Sequence, residues 1–353
     1  MKLFQSIQIK NLVIKNRIVV PAMLVNIGTV RQGKVSEEKV RHYQAIAEGG
    51  AGLIIQESAA VSKEDGKAID YELDFFCDHS IEEMKKIVDA VHEKGCPIFL
   101  QLCHAGVTAI DEQPICPSAY TCTKAGRTRT GREMDLKDIK RVQHDFIEAA
   151  KRAVLAGYDG IEIHGCHRYL ISQFLNTRVN KRTDEYGRKP EYFVQEIVKA
   201  IKGQTPTDFI VGIRIGGFEP TLADSIRYCR LLEKEGIDFF NISYGCTGEF
   251  DAETPEGYPL KDIIYAASRI KQEVSVPVFA VNGLHTAGQA EEVLLETNVD
   301  MVNIGRSILV DPDWPSHIMS NEAAGRCIDC RQCYWHTKPD HCPGRKLFKK
   351  SLR

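Results

Sequence analysis

The sequence predicts an α/β fold, a (β/α)8 TIM barrel with a short Cys-rich C-terminal extension. Short β-branched runs alternate with longer amphipathic stretches, as in a parallel sheet. Eight such runs occur, nearly all followed by a helical pattern, which is the barrel's count. The segment after the first run, MLVNIGTVRQG, lacks the G-x-G-x-x-G turn of a doubly wound dinucleotide fold. With 353 residues the chain can bury a substantial core as one large unit. The barrel is expected over residues 1–320 and a Cys-rich tail over 321–353, because the βα pattern stops after Trp314.

Taken in order, the strands are RIVVPAM (17–23), GLIIQE (52–57), PIFLQLC (97–103), GIEIH (160–164), FIVGIRI (209–215), FFNIS (239–243), VPVFAVN (276–282) and MVNIG (301–305). Each is a brief apolar run of the kind buried on both faces. Helical patterns lie between them at 36–48, 80–94, 136–157, 221–236, 262–273 and 287–297. The first opens on Ser36, Glu37 and Glu38, a hydroxyl cap followed by acids that suit a helix N-terminus. Gly95 and Gly236 each follow a helical run and precede a strand, where a helix stop belongs.

Composition narrows the class. The 46 Lys and Arg nearly balance 48 Asp and Glu, so net charge near −2 gives no bias towards nucleic acid or an acidic membrane. No apolar run reaches the ~18 residues of a membrane span. The opening MKLFQSIQIKN lacks the organisation of a secretion signal, so a soluble, cytoplasmic protein is expected. Of the 12 cysteines, eight are scattered and read as reduced thiols, Cys103 and Cys166 among them as packing residues. The other four, Cys327, Cys330, Cys333 and Cys342, crowd the tail and read as metal ligands.

Barrel active sites sit at the C-terminal strand ends. Those positions hold Met23, Glu57, Gln101, His104, His164, Arg214, Ser243, Asn282 and Arg306, a polar set without a metal quartet or a Ser-His-Asp triad. The last two strands finish AVNGLHTAGQAEE and NIGRSI. Gly283 and Gly305 permit close backbone approach there and Arg306 can fork a phosphate, so this end is expected to bind one.

At this point the chain resembles the Old Yellow Enzyme family of FMN-dependent ene-reductases. The resemblance rests on GYDGIEIHGCHRYLISQFLNTRVNKRTDEYG (157–187), with IKNRIVVPAM (14–23), GLIIQESAAV (52–61), QLCHAG (101–106), VGIRIG (211–216) and VNGL…NIGRS (281–307) in the family's order. It implies a barrel holding FMN non-covalently. Pro21, Ala22, Met23 and Leu24 would line the flavin, Ala60 would approach it, and Gln101 would reach its pyrimidine edge. Arg214 would lie beside N1 and O2, while Asn282, Gly283, Gly305 and Arg306 would complete the cofactor site at its phosphate end. His164 and His167 would bind the substrate's activating oxygen, and Tyr169 matches the proton donor.

These roles agree with the chemistry. A fixed guanidinium stabilises charge that develops near N1 and O2. Two donors on a carbonyl make the β-carbon of an enone accept hydride, and a tyrosine can then protonate the α-carbon. Three departures stand out. Leu24 occupies a position where relatives place Thr or Cys, Arg168 replaces a Gly between His167 and Tyr169, and the run at 187–198 is shortened.

The tail reads C-x2-C-x2-C-x8-C. It resembles ferredoxin-type ligation, and a branch of the family that includes dienoyl-CoA reductases and trimethylamine dehydrogenase has a 4Fe-4S cluster after the barrel. That branch continues into a second nucleotide-binding domain, which this sequence lacks, so a cluster here would be fed by a separate electron-donor protein. A Zn site of four thiolates, or of three with His336 or His341, and a tail of free thiols are the other readings. The tight first three cysteines favour iron.

The expected activity is reduction of activated C=C bonds in enone or enoyl substrates, with NAD(P)H as a candidate electron source. The same-fold rivals are an amine dehydrogenase and an electron-transfer subunit; a tRNA dihydrouridine synthase is more remote, since the basic tail KLFKKSLR (346–353) is too short for an RNA-binding domain. Exposed barrel helices leave homo-oligomerisation open.

Overall fold

The computed structural model describes residues 1–28, 33–124, 126–246 and 248–351. Eight parallel strands close into a barrel: β1 (Ile18–Val20), β2 (Leu53–Ala60), β3 (Ile98–Cys103), β4 (Gly160–Gly165), β5 (Ile210–Gly216), β6 (Phe239–Ser243), β7 (Val278–Ala280) and β8 (Met301–Asn303). Val302 of β8 pairs with Ile18, and Val19 pairs with Leu53 of β2, so the sheet returns on itself and leaves no barrel edge open. Every expected run supplies one of these strands.

Outside the sheet run α1 (Glu37–Glu48), α2 (His79–His92), α3 (Leu136–Leu155), α4 (Tyr192–Gln204), α5 (Leu222–Lys234), α6 (Asp262–Lys271) and α7 (Ala287–Glu296). Their ends follow local chemistry. The Ser36 hydroxyl accepts from Lys39 N to start α1, and reciprocal capping boxes, Asp135 with Asp138 and Thr286 with Gln289, start α3 and α7. Gly236 stops α5 at φ +101°, a left-handed conformation that costs a glycine little.

The barrel's lower interior is apolar. Phe99, Phe239 and Phe279 stack in series, with ring centroids 5.5 and 4.7 Å apart. An N-terminal hairpin, Ile7–Ile9 with Leu12–Ile14, drops Ile9 and Ile14 into the same cluster and closes that end. The open end is therefore the C-terminal one. There, a second hairpin of Tyr120–Lys124 and Arg127–Glu133 projects after β3.

After β8 the chain forms α8 (Arg306–Val310), α9 (Trp314–Met319) and, in the tail, α10 (Pro343–Ser351). The tail returns to the barrel. Trp335 and Cys342 join Val25, Leu309 and Val310 in one buried cluster, and Asn26 N donates to Trp335 O at 2.9 Å. The last two residues of the basic segment 346–353 lie outside the described residues. No helix among the described residues is long and apolar enough to cross a membrane.

Candidate active site

A cavity of about 390 Å³ opens at the C-terminal strand ends. Its wall combines the β1 end (Pro21, Ala22, Met23, Leu24), Gln101 of β3, Arg214 of β5, and Asn282, Gly283, Gly305 and Arg306 beyond β7 and β8. His164, His167 and Tyr169, all from the end of β4, complete it. Of the expected barrel-site residues only Ala60 is absent from the wall. It is fully buried at the end of β2, where it pairs with Asp74 and Cys103 and its carbonyl accepts from Phe75 N; Ser58 faces the cavity instead. A register shift in β2 between Gln56 and Ala59 accompanies this placement.

Two other strand-end residues also point elsewhere. Glu57 is fully buried against Lys39, 2.8 Å away, and Tyr43. His104 contacts Asp65 at 3.1 Å, and Arg141 also reaches Asp65. These are ties between the barrel and its surrounding layer.

The histidine pair is held as a chain. His164 Nε2 lies 3.0 Å from His167 Nδ1, and His167 Nε2 lies 2.8 Å from Ser243 Oγ, which also accepts from Arg214 Nη2 at 3.4 Å. Backbone geometry makes this convergence. His167 and Arg168 take φ values of +58° and +65°, turning the chain sharply so that His167 N meets Tyr244 O at 2.9 Å. The left-handed conformation accounts for the glycine that relatives carry at position 168, and holding an arginine there costs on the order of 1–3 kcal/mol. Arg168 in turn donates to Thr123 O at 3.2 Å and so ties the projecting hairpin to the β4 loop.

Tyr169 sits edge-on to His164, ring centroids 4.6 Å apart, at the start of the short helix Leu170–Leu175. Burial, aided by the neighbouring Cys103 and Glu72, pushes its phenol well above the usual range. It therefore stays protonated through neutral pH and can donate. The ligand atoms of His164, Cys166 and His167 lie within 4.8 Å of one another, so Cys166 packs directly beneath the pair.

Sequence reasoning missed the floor. Glu162 is fully buried and accepts from Gln101 Nε2 at 2.6 Å and Asn241 Nδ2 at 2.7 Å; Asn303 Nδ2 extends the chain to Asn241 Oδ1 at 2.9 Å. Burial pushes the Glu162 carboxyl up, while Arg214 and the two amides oppose that shift. Parallel register supplies the placement, since Glu162 pairs with Gln101 across β3 and β4. Interior charge on a β4 residue flanked by Ile161 and Ile163 was the available signal.

The cavity suits a planar, polar-edged cofactor. Arg214 Nε and Asn303 Oδ1 are buried without a protein partner. Both residues line the cavity, so one face offers a donor and an acceptor to whatever fills it. Gly283 (φ +70°) leaves open space where a side chain would stand, and a Cβ on Gly305 would come within 3.0 Å of Met23 Sδ. Arg306, next to Gly305 in the chain, pairs with Asp329 of the tail at 2.6 Å, and His285 reaches the same carboxylate at 2.9 Å.

The tail supplies the rest of the rim, with Cys333, Trp335 and His336 on the cavity wall. Behind them a void of about 30 Å³ is lined by all four tail cysteines, and it shares Arg306, Cys333 and Trp335 with the larger cavity.

Comparison with known proteins agrees with this geometry. The family model described as NADH:flavin oxidoreductase / NADH oxidase matches residues 2–324. The chain is 34% identical over 345 residues to an NADH oxidase of Thermoanaerobacter brockii, covering 93% of this chain and 52% of the relative. It is 35% identical over 321 residues to an NADPH dehydrogenase of Geobacillus sp. (strain WCH70), covering 89% and 92%. The structure of an old yellow enzyme homologue from Zymomonas mobilis superposes with a TM-score of 0.79 at 23% identity, covering 96% of this chain and 97% of that one. The chain thus spans about half the length of the first of these relatives and nearly all of the others.

Proposed function

Since the chain belongs to the NADH:flavin oxidoreductase / NADH oxidase family, we propose that it is an FMN-dependent oxidoreductase, driven by a reduced nicotinamide, that reduces activated C=C bonds of α,β-unsaturated carbonyl compounds. The observation that carries this reading is the convergence of His164, His167, Tyr169 and Arg214 on one cavity. Bound there, FMN would supply hydride at its N5. Arg214, whose guanidinium cannot deprotonate, would hold the pyrimidine end together with Gln101, and Gly283, Gly305 and Arg306 would hold the phosphate. The two histidines would polarise the substrate carbonyl by donating to its oxygen, which takes the place of the His164 Nε2–His167 Nδ1 contact. Ser243 fixes the outer ring and Arg214 together. Tyr169 delivers the proton to the α-carbon.

Leu24 favours this reading over an amine dehydrogenase, because a leucine offers no thiol to link a flavin. The tail is read as the holder of a 4Fe-4S cluster, in the manner of the dienoyl-CoA reductase and trimethylamine dehydrogenase branch. Such a centre would relay electrons to or from a flavin behind Cys333.

An ultraviolet-visible spectrum of anaerobically purified protein, with iron, sulfide and zinc measured on the same sample, tests both assignments. Flavin bands with about four irons support the full reading. Flavin with zinc makes the tail structural, and absence of flavin overturns the function. The double variant His164→Ala/His167→Ala is expected to retain FMN and lose enone turnover; unchanged turnover would reject the histidine roles.

A further inference from the structure

The active-site cavity does not end at Tyr169. A second cavity, of about 540 Å³, begins there: Tyr169 and His336 line both. It runs between the projecting hairpin and the tail. Ile69 and Ile110 make part of its wall apolar, and no Asp or Glu lines it. Its charge comes from Arg127 and Arg129.

Strand geometry explains the pair. Residues two apart on Arg127–Glu133 project to the same face. The partner strand pairs in register, Cys122 opposite Arg129, so both guanidinium stems rise from a fixed ribbon. Arg129 donates to Asp111 O at 3.0 Å, and the Asp111 carboxylate feels its charge without forming an ion pair with it. Among the described residues neither arginine forms an ion pair with a carboxylate. Arg168, the residue that departs from the family's glycine, anchors the same hairpin through Thr123 O. The cationic ribbon is thereby tied to the loop that carries His167 and Tyr169.

We propose that this second cavity is a binding subsite for the far end of the substrate, and that Arg127 and Arg129 select unsaturated carbonyl compounds whose apolar body ends in an anionic group. The inference rests on the ene-reductase reading and names its substrate class. The reacting carbonyl lies at the histidine pair, the apolar body passes Tyr169 and the two isoleucines, and a carboxylate or phosphate meets the arginines. Two arginines on the wall of a largely apolar cavity that no Asp or Glu lines are an electrostatic imbalance that an anionic ligand removes.

The test uses the holoenzyme reduced with dithionite, so that no natural electron donor is needed. The probes are a cyclohexenone bearing an alkyl chain ended by a carboxylate, its methyl ester, and the same chain ended by a phosphate monoester or by the corresponding neutral alcohol. The wild type is expected to favour the charged member of each pair by roughly tenfold in kcat/KM, mostly through KM, with the preference shrinking as salt rises. A larger preference for phosphate identifies a phosphorylated carrier as the natural tail; a larger preference for carboxylate identifies a free acid. The double variant Arg127→Gln/Arg129→Gln is expected to abolish the ratio between charged and neutral probes, and Arg127→Lys/Arg129→Lys to keep most of it.

Equal efficiency for charged and neutral probes in the wild type overturns the inference and leaves the reductase standing. A preference that survives in the Gln variant also overturns it. Failure to reduce any of the probes removes the ene-reductase reading and the inference together.

Discussion

Tyr169 illustrates how a single side chain acquires its role from surroundings that the sequence does not spell out. The motif names it, but burial, aided by Cys103 and Glu72, is what pushes its phenol above the usual tyrosine range. Tyr169→Phe should therefore leave reduction of the flavin by nicotinamide intact and slow enone reduction by roughly 10²–10⁴-fold. Stopped-flow measurement of the two half-reactions separates these effects, and equal slowing of both would contradict the assignment. The wild-type enone step should show no phenol limb up to the usual tyrosine range, because the raised pKa moves that limb higher still. Residues at the cavity wall were legible because they end strands. Glu162, Asn241 and Asn303 were not, because their meaning lies in a hydrogen-bond chain running between strands distant in sequence.

Among the elements, the barrel strands were readable because burial on both faces leaves continuous apolar runs. The projecting hairpin was missed for the opposite reason. Its strands, YTCTK and RTRTGRE, lie outside the barrel and alternate small and charged residues, with threonine pairs 121–130 and 123–128 bonded across at 2.8 Å. That alternation around Gly126 is a hairpin signal in its own right. Helix α4 was also blurred, since its opening turn at Tyr192 falls within the shortened run at 187–198.

The loop after β5 yields a stability prediction. Glu219 is fully buried and accepts from Ser172 Oγ at 2.6 Å and Asn176 Nδ2 at 2.5 Å; burial nevertheless pushes its carboxyl up to about 7. From the ordinary 4.5 to about 7 the folded protein holds this proton more tightly than the unfolded chain. The stability that Glu219 contributes thus falls as pH rises through that window, by on the order of 3 kcal/mol. Urea unfolding at about pH 5 and about pH 7.5 should show a smaller loss in Glu219→Gln than in the wild type. Parallel losses would refute it.

For the whole molecule, residues 321–353 are proposed as a Cys-rich unit docked on the barrel through Trp335, Cys342 and Leu309. If a metal centre organises the four cysteines, removing it should loosen the tail's share of the cavity rim, formed by Cys333, Trp335 and His336. Anaerobic chelation of the holoenzyme is expected to speed FMN release by roughly tenfold or more, followed by the recovery of flavin fluorescence. Release that is unchanged once iron has gone would show that the tail does not retain the flavin.

One contact gives that coupling a physical route. Asp329, between the first two tail cysteines, clasps Arg306 and His285 at the end of the cavity where the phosphate is expected. Thermodynamic reciprocity then requires that, if loading the cysteines tightens the flavin, the flavin tightens the cysteines by the same factor. An FMN phosphate competing with Asp329 for Arg306 would therefore be felt at the cysteines, as a shift in their hold on a metal equal to the shift that the metal produces in the hold on the flavin.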